Sequence, residues 1–174
     1  MDTHRNKSFN VHAGFTLVEL LVVIAIIGIL SAVVLASLNT ARQKGGDAAV
    51  QADLNAIRIQ AEIFYGNNTN SYNTGSTISS PACSTLTTAG SLFSDTNIQS
   101  ALKGARGASG NDSDCGATAT AYSIAAPLVT SSTGAWCIDS TGVSRNKTAG
   151  GTIYTALTGS VTAAHLASGA TVCQ

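Results

Sequence analysis

Residues 14–38 read GFTLVELLVVIAIIGILSAVVLASL, and the fold turns on how they are understood. From Phe15 to Leu38 the only ionisable residue is Glu19, and the other polar side chains, Thr16, Ser31 and Ser37, carry small hydroxyls able to bond back to helix carbonyls. Proline is absent from the stretch. At about 1.5 Å rise per residue these 24 residues make a helix of roughly 36 Å, enough to cross a hydrocarbon layer of about 30 Å. They read as a membrane span. Glu19 is the difficulty, because an ionised carboxylate in an apolar helix costs on the order of 2.5 to 3.5 kcal/mol at mid-bilayer and less near the interface. No Lys or Arg stands within a helical turn of it. Either Glu19 sits at the interface and reaches headgroup water, or a cation comes from elsewhere. A new amino terminus at Phe15 would be such a cation.

Gly14-Phe15-Thr16-Leu17-Val18-Glu19-Leu20 follows a short leader carrying Arg5 and Lys7 and precedes an unbroken apolar run. This resembles the processing and methylation motif of type IV prepilins and of type II secretion pseudopilins. The likeness is close from the leader to the end of the apolar run and continues in pattern through the next helix. It implies that a membrane-embedded prepilin peptidase and methyltransferase cuts after Gly14 and methylates the amine of Phe15. Glu19 then pairs with the terminal amine of a neighbouring subunit during assembly. The partners implied are further copies of the chain in a homopolymer, related minor pilins, the assembly platform of a pilus or secretion system, and membrane lipid before assembly. The implied fold is α+β, a long N-terminal helix packed on a small antiparallel β-sheet head. On that pattern residues 1–14 are the leader, 15–38 the transmembrane and filament-core helix, 39–66 an amphipathic continuation, and 67–174 the globular head. Many relatives also carry a proline in the membrane half, where Ala36 stands here, so any local unwinding would have to use Gly28 or Gly45-Gly46.

Arg5 and Lys7 against Asp2 give the leader a weak positive bias that favours the cytoplasmic side. The expected location is therefore the inner or cytoplasmic membrane as a single-pass precursor with a cytoplasmic N-terminus, and a cell-surface filament after assembly. An ordinary secretory signal, cut near Ala32 to Ala36, is an alternative, but the apolar run exceeds the usual signal core of about 7 to 15 residues. A pseudopilin or minor pilin of a secretion or DNA-uptake machine shares the motif. A single-span anchored binding domain that never polymerises is the rival from another class.

Removal of residues 1–14 would leave 160 of the 174 residues, room for one domain beyond the helix. Charged residues make up only 10% of the chain, so hydroxyls and amides must cover its surface. Without the leader, seven Lys or Arg face eight Asp or Glu, and no basic field exists to hold nucleic acid. The cysteines, Cys83, Cys115, Cys137 and Cys173, all lie beyond the span and form no Cys-x-x-Cys pair. Two disulfides in an oxidising compartment are expected, with all three connectivities open and free buried thiols as the alternative.

Val50, Leu54, Ile57, Ala61 and Phe64 recur at steps of four and three, drawing one apolar stripe along a helix over 39–66. Gly45-Gly46 interrupts it at a cost of about 1.5 to 2 kcal/mol relative to alanine, as a tolerated flaw or as a hinge. Gly66 is the expected helix stop, and residues 67–82 read as an exposed loop. A short helix or turn is expected over 91–102 with Ser94 or Asp95 as N-cap, then a second loop over 104–116. Asn111, Asp112 and Asp114 carry oxygen atoms of the kind calcium takes, but neither their spacing nor the missing distal Glu fits an EF-hand, and no metal or cofactor is expected. Residues 118–128 and 135–140 read as a hairpin with Tyr122, Ile124 and Ala126 on one face, Trp136 and Ile138 together, and Cys137 opposed. A third strand is expected within 142–145 or 151–157, and a disulfide through Cys173 should pin a tail poor in large apolar residues. Asn67-Asn68-Thr69, Asn111-Asp112-Ser113 and Asn146-Lys147-Thr148 fit the glycan triplet, which arises by chance in so polar a chain. His165 is the only histidine beyond the leader, and no Ser-His-acid or Cys-His set is present, so an enzyme is not expected.

Overall fold

The computed structural model describes residues 14–80, 82–131, 134–148 and 173. The leader residues 1–13, Pro81, the strand candidate at 151–157 and His165 lie outside the described residues. The chain divides into two units at Asn39 and Thr40, and the first helix, α1 (Leu17–Asn67), contributes to both.

In the first unit the apolar side chains of α1 point outward all round. Leu17 is 82% exposed, Val34 61% and Val22 47%, and an 18-residue window of the helix reaches a mean hydropathy of 3.0 with none of it buried within the chain. Such a surface is stable only in lipid or against other apolar helices. The helix runs unbroken through Gly28, Gly45 and Gly46.

In the second unit α1 supplies one face of the core. Val50, Leu54, Ile57 and Ala61 are fully buried, with Phe64 packed at their edge, so the stripe is where the spacing placed it. It faces a five-stranded antiparallel sheet ordered β1 (Ile78–Ser80), β2 (Asp114–Ala117), β3 (Tyr122–Pro127), β4 (Gly134–Asp139), β5 (Ser144–Thr148). Tyr122, Ile124, Ala126 and Ile138 join the helix stripe in the main core, with Trp136 packed against it. Ala125, Ala135, Cys137 and Cys173 form a small cluster apart from it, as the period-2 alternation requires. Ile124 opposes Ile138 and Ala125 opposes Cys137 across the hairpin. The indole N–H of Trp136 donates to Ser144 Oγ at 3.1 Å, tying β4 to β5.

The second helix, α2 (Thr96–Ser109), begins at Asp95, whose carboxylate accepts from the amides of Asn97 and Ile98, and ends on Gly110 in the left-handed conformation. It buries Ile98, Leu102 and Ala105. The two N–H groups of the Gln99 amide are shared among the carbonyls of Cys83, Leu86 and Phe93 at 2.7 to 2.9 Å, holding the preceding loop onto the helix. Disulfides join Cys83 to Cys115 and Cys137 to Cys173, each worth roughly 3 to 4 kcal/mol for loops of this length in the chain-entropy account. The second of these ties the tail to β4.

Several expectations are corrected. The helix passes Gly66 and ends at Asn67, where the Asn68 side chain donates to Phe64 O at 2.8 Å and Thr69 and Asn70 turn left-handed. The polar stretch 67–82 is not simply exposed: Ser71, Tyr72 and Asn73 are buried, and Ile78–Ser80 adds an edge strand to β2. The loop expected over 104–116 is the second half of α2 followed by β2. Its glycine at 104 serves packing, since a Cβ there would lie 2.6 Å from an Asp53 carboxylate oxygen. Burial in turn raises the Asp53 carboxyl above the usual range.

Gly45-Gly46 also has a packing role. A Cβ on Gly46 would come within 2.9 Å of Val129 Cγ2 and 3.2 Å of the Ala108 carbonyl, whereas one on Gly45 would meet nothing. The neighbouring Asp47 accepts from the amides of Val129 and Thr130 and from the Thr130 hydroxyl. Gly46 is a close-approach point for the β3–β4 connection. Gly46→Ala should therefore lose about 1 to 3 kcal/mol through overpacking, while Gly45→Ala should gain about 0.5 to 1 kcal/mol, as read by urea unfolding of the detergent-solubilised chain.

A second prediction concerns alkali. The ring of Tyr72 lies between those of Tyr65 and Tyr122, at 4.5 and 4.9 Å, and its hydroxyl donates to Glu62 at 2.8 Å. Burial first, and then the Glu62 carboxylate, push the phenols of Tyr72 and Tyr122 well above the ordinary tyrosine range. The unfolded chain loses these protons first, near pH 10, so the stability they contribute is complete below that pH and falls as pH rises through and beyond it. Unfolding followed from pH 8 to 11 should show this decline, and Tyr72→Phe should make it shallower.

Candidate functional site

The site begins where α1 begins. Thr16 is the N-cap: its carbonyl accepts from the Leu20 amide, the first bond of the helix. Its Oγ1 accepts from the Glu19 amide at 3.2 Å. Glu19 returns the bond, with Oε2 accepting from the Thr16 amide at 2.8 Å and from the Thr16 hydroxyl at 2.7 Å. This is a reciprocal capping box, which satisfies donors that the helix start would otherwise leave orphaned. The carboxylate also stands at the positive end of the helix macrodipole, where a negative charge gains about 0.3 to 1 kcal/mol at exposed sites. Glu19 therefore occupies the position on an apolar helix that best tolerates an acid.

Glu19, Phe15 and Gly14 lie together at this end, with Phe15 77% exposed. A Cβ on Gly14 would touch nothing, so packing within the chain does not demand glycine there. The four cysteines belong to the head and take no part. The residue that sequence reading passed over is Thr16, treated there only as a small hydroxyl. The signal was present, since Thr16-x-x-Glu19 ahead of an apolar run is the capping-box pattern.

The head carries an open cleft of about 370 Å³ lined by Arg58, Ile59, Glu62 and Asp139 to Gly142. Arg58 donates to the Gly142 carbonyl at 3.3 Å. The Asp139 carboxylate accepts from Thr141, Val143 and Cys173, so its lone pairs serve the β4–β5 turn and the tail. Of the oxygen-bearing residues at 111–114, Asp112 accepts from the Ser84 amide and hydroxyl and pairs with Arg106 at 3.5 Å. Among the described residues no group of three or more His, Cys, Asp or Glu is placed to hold a metal ion.

Two comparisons with known proteins bear on this chain. The family model described as "Prokaryotic N-terminal methylation motif" matches residues 10–35. The chain is also similar to the type IV wide pilus major component PilA4 of Thermus thermophilus, 46% identical over 67 residues. That match covers 38% of this chain and 51% of the relative, so the chain spans about half the length of the curated relative it matches. No solved structure matches the chain.

Proposed function

We propose that this chain is a type IV pilin, the structural subunit of a pilus-like filament, made as a membrane precursor and polymerised through α1. The observation that carries the reading is the methylation motif at 10–35, set on a helix whose only acid from Phe15 to Leu38 is Glu19. The similarity to a major pilus component favours a pilus subunit over a secretion pseudopilin. In this reading prepilin peptidase cuts after Gly14, the Phe15 amine is methylated, and residues 15–38 hold the subunit in the membrane with its head outside.

Solvent explains the rest. A helix that is apolar all round gains little by leaving lipid for other apolar helices, because both surroundings suit it. Such contacts set neither register nor direction. One charge pair does: two unit charges about 4 Å apart attract by about 1 kcal/mol in water and about 4 kcal/mol at an effective dielectric of 20. Glu19 opposite a neighbour's Phe15 amine is such a pair, and it forms in one register only.

Glu19→Ala should leave processing and insertion largely intact and abolish filaments, read by immunoblot of sheared surface material against the membrane fraction; abundant normal filaments from this variant would refute the role. Gly14→Val should accumulate full-length precursor, because a branched side chain beside the cut bond obstructs the peptidase, and normal processing of that variant would remove the assigned cleavage site.

A further inference from the structure

Arg58 and Glu62 carry opposite charges one turn apart on α1, the spacing at which such side chains ordinarily pair along a helix. Here each is held elsewhere. The Arg58 guanidinium donates to the Gly142 carbonyl in the β4–β5 turn at 3.3 Å, and Glu62 Oε1 accepts from the Tyr72 phenol at 2.8 Å; among the described residues no ion pair joins the two. The open cleft of about 370 Å³ is bounded by both side chains and the turn, with Ile59, 62% exposed, as its apolar wall. Tyr122 adjoins it, its carbonyl accepting at 3.0 Å from the amide of Ser140, which also lines the cleft. The Tyr122 ring is fully buried, its hydroxyl has no hydrogen-bond partner among the described residues, and the charged side chains acting on it are Glu62, Arg58 and Asp139, all three of which line the cleft. We propose that this cleft binds a neutral saccharide ring, whose adjacent hydroxyls bridge Arg58 and Glu62 and supply the buried Tyr122 hydroxyl with its partner.

The charges of the cleft select the ligand. Asp139 is already engaged, its carboxylate accepting from Thr141, Val143 and Cys173, so one guanidinium faces one carboxylate. An anion drawn by Arg58 meets Glu62, and a cation drawn by Glu62 meets Arg58. A sugar suits both, because each of its hydroxyls donates and accepts. One accepts from an Arg58 N–H while its neighbour donates to Glu62 Oε2, and hydrogen bonds to ionised groups are about twice as strong as neutral ones. The C–H face of the ring packs on Ile59, in the manner of small-molecule sites that set a few convergent polar groups against an apolar wall. A buried hydroxyl without a partner costs free energy and is uncommon in native folds, and a third ligand hydroxyl removes that cost at Tyr122. The cleft belongs to the head, so binding requires neither cleavage at Gly14 nor polymerisation.

The test uses the full chain solubilised in a dimethylamine oxide detergent, which has no sugar headgroup, and reads saturation transfer by NMR to the methyl glycosides of glucose, galactose, mannose and N-acetylglucosamine. At least one should bind, with a dissociation constant in the millimolar range. Glu62→Gln keeps an acceptor for Tyr72 and removes the charge, and affinity should fall by roughly tenfold or more, as for a lost hydrogen bond to a charged group. Tyr122→Phe should lower affinity by about threefold to tenfold while the thermal midpoint holds or rises, since the deleted hydroxyl has no partner among the described residues. Arg145→Met, outside the cleft, should bind as the parent does. No transfer to any of the four sugars from a chain that melts cooperatively would overturn the proposal, as would parental affinity in either Glu62→Gln or Tyr122→Phe. Displacement of the bound sugar by an equal concentration of acetate or tetramethylammonium would make the cleft an ion site and overturn it as well.

Discussion

One carboxylate at the start of an apolar helix sets the terms for this chain. Glu19 is the only ionisable group between Phe15 and Leu38, and the helix that carries it exposes Leu, Ile and Val on every side in the first unit. Apolar surface of this kind is indifferent to direction, and Glu19 is the one charge it bears. The capping box with Thr16 shows how that feature is tolerated in a single chain. It uses the orphan donors of the helix itself, with no need of a lysine or arginine nearby.

The head is built on the opposite logic, with much order drawn from few large side chains. Its core is one helix stripe against one face of a sheet. Two disulfides, the Gln99 amide bridging three carbonyls, and the Asp139 carboxylate holding both a turn and Cys173 supply the cross-links. Glycine serves closeness here. At Gly46 the β3–β4 connection comes against α1, and at Gly104 α2 comes against Asp53.

Period and charge made much of this legible. The stripe at Val50, Leu54, Ile57 and Ala61, the β3–β4 hairpin with its alternating faces, and the membrane-length run all follow from patterns that solvent imposes on sequence. What escaped was set by tertiary partners. Ile78–Ser80 is a strand because β2 lies beside it, although its composition reads as loop. Gly104 and Gly107 look like breaks in α2 until the neighbours of Gly104 are known. The disulfide pairing required the fold, since four cysteines alone permit three answers. At the candidate site, Gly14, Phe15 and Glu19 stood out through their likeness to prepilins. Thr16 did not, because a hydroxyl in an apolar helix was read for what it spares the membrane and not for what it gives to Glu19.

The account stands on the birth of a new amino terminus beside that acid. Its most direct test is mass spectrometry of the terminal peptide of the chain recovered from sheared surface filaments. The account predicts a chain beginning at Phe15 and heavier by one methyl group on its amine. A chain beginning at Met1, or one beginning beyond Ala32 with the apolar helix removed, would contradict it.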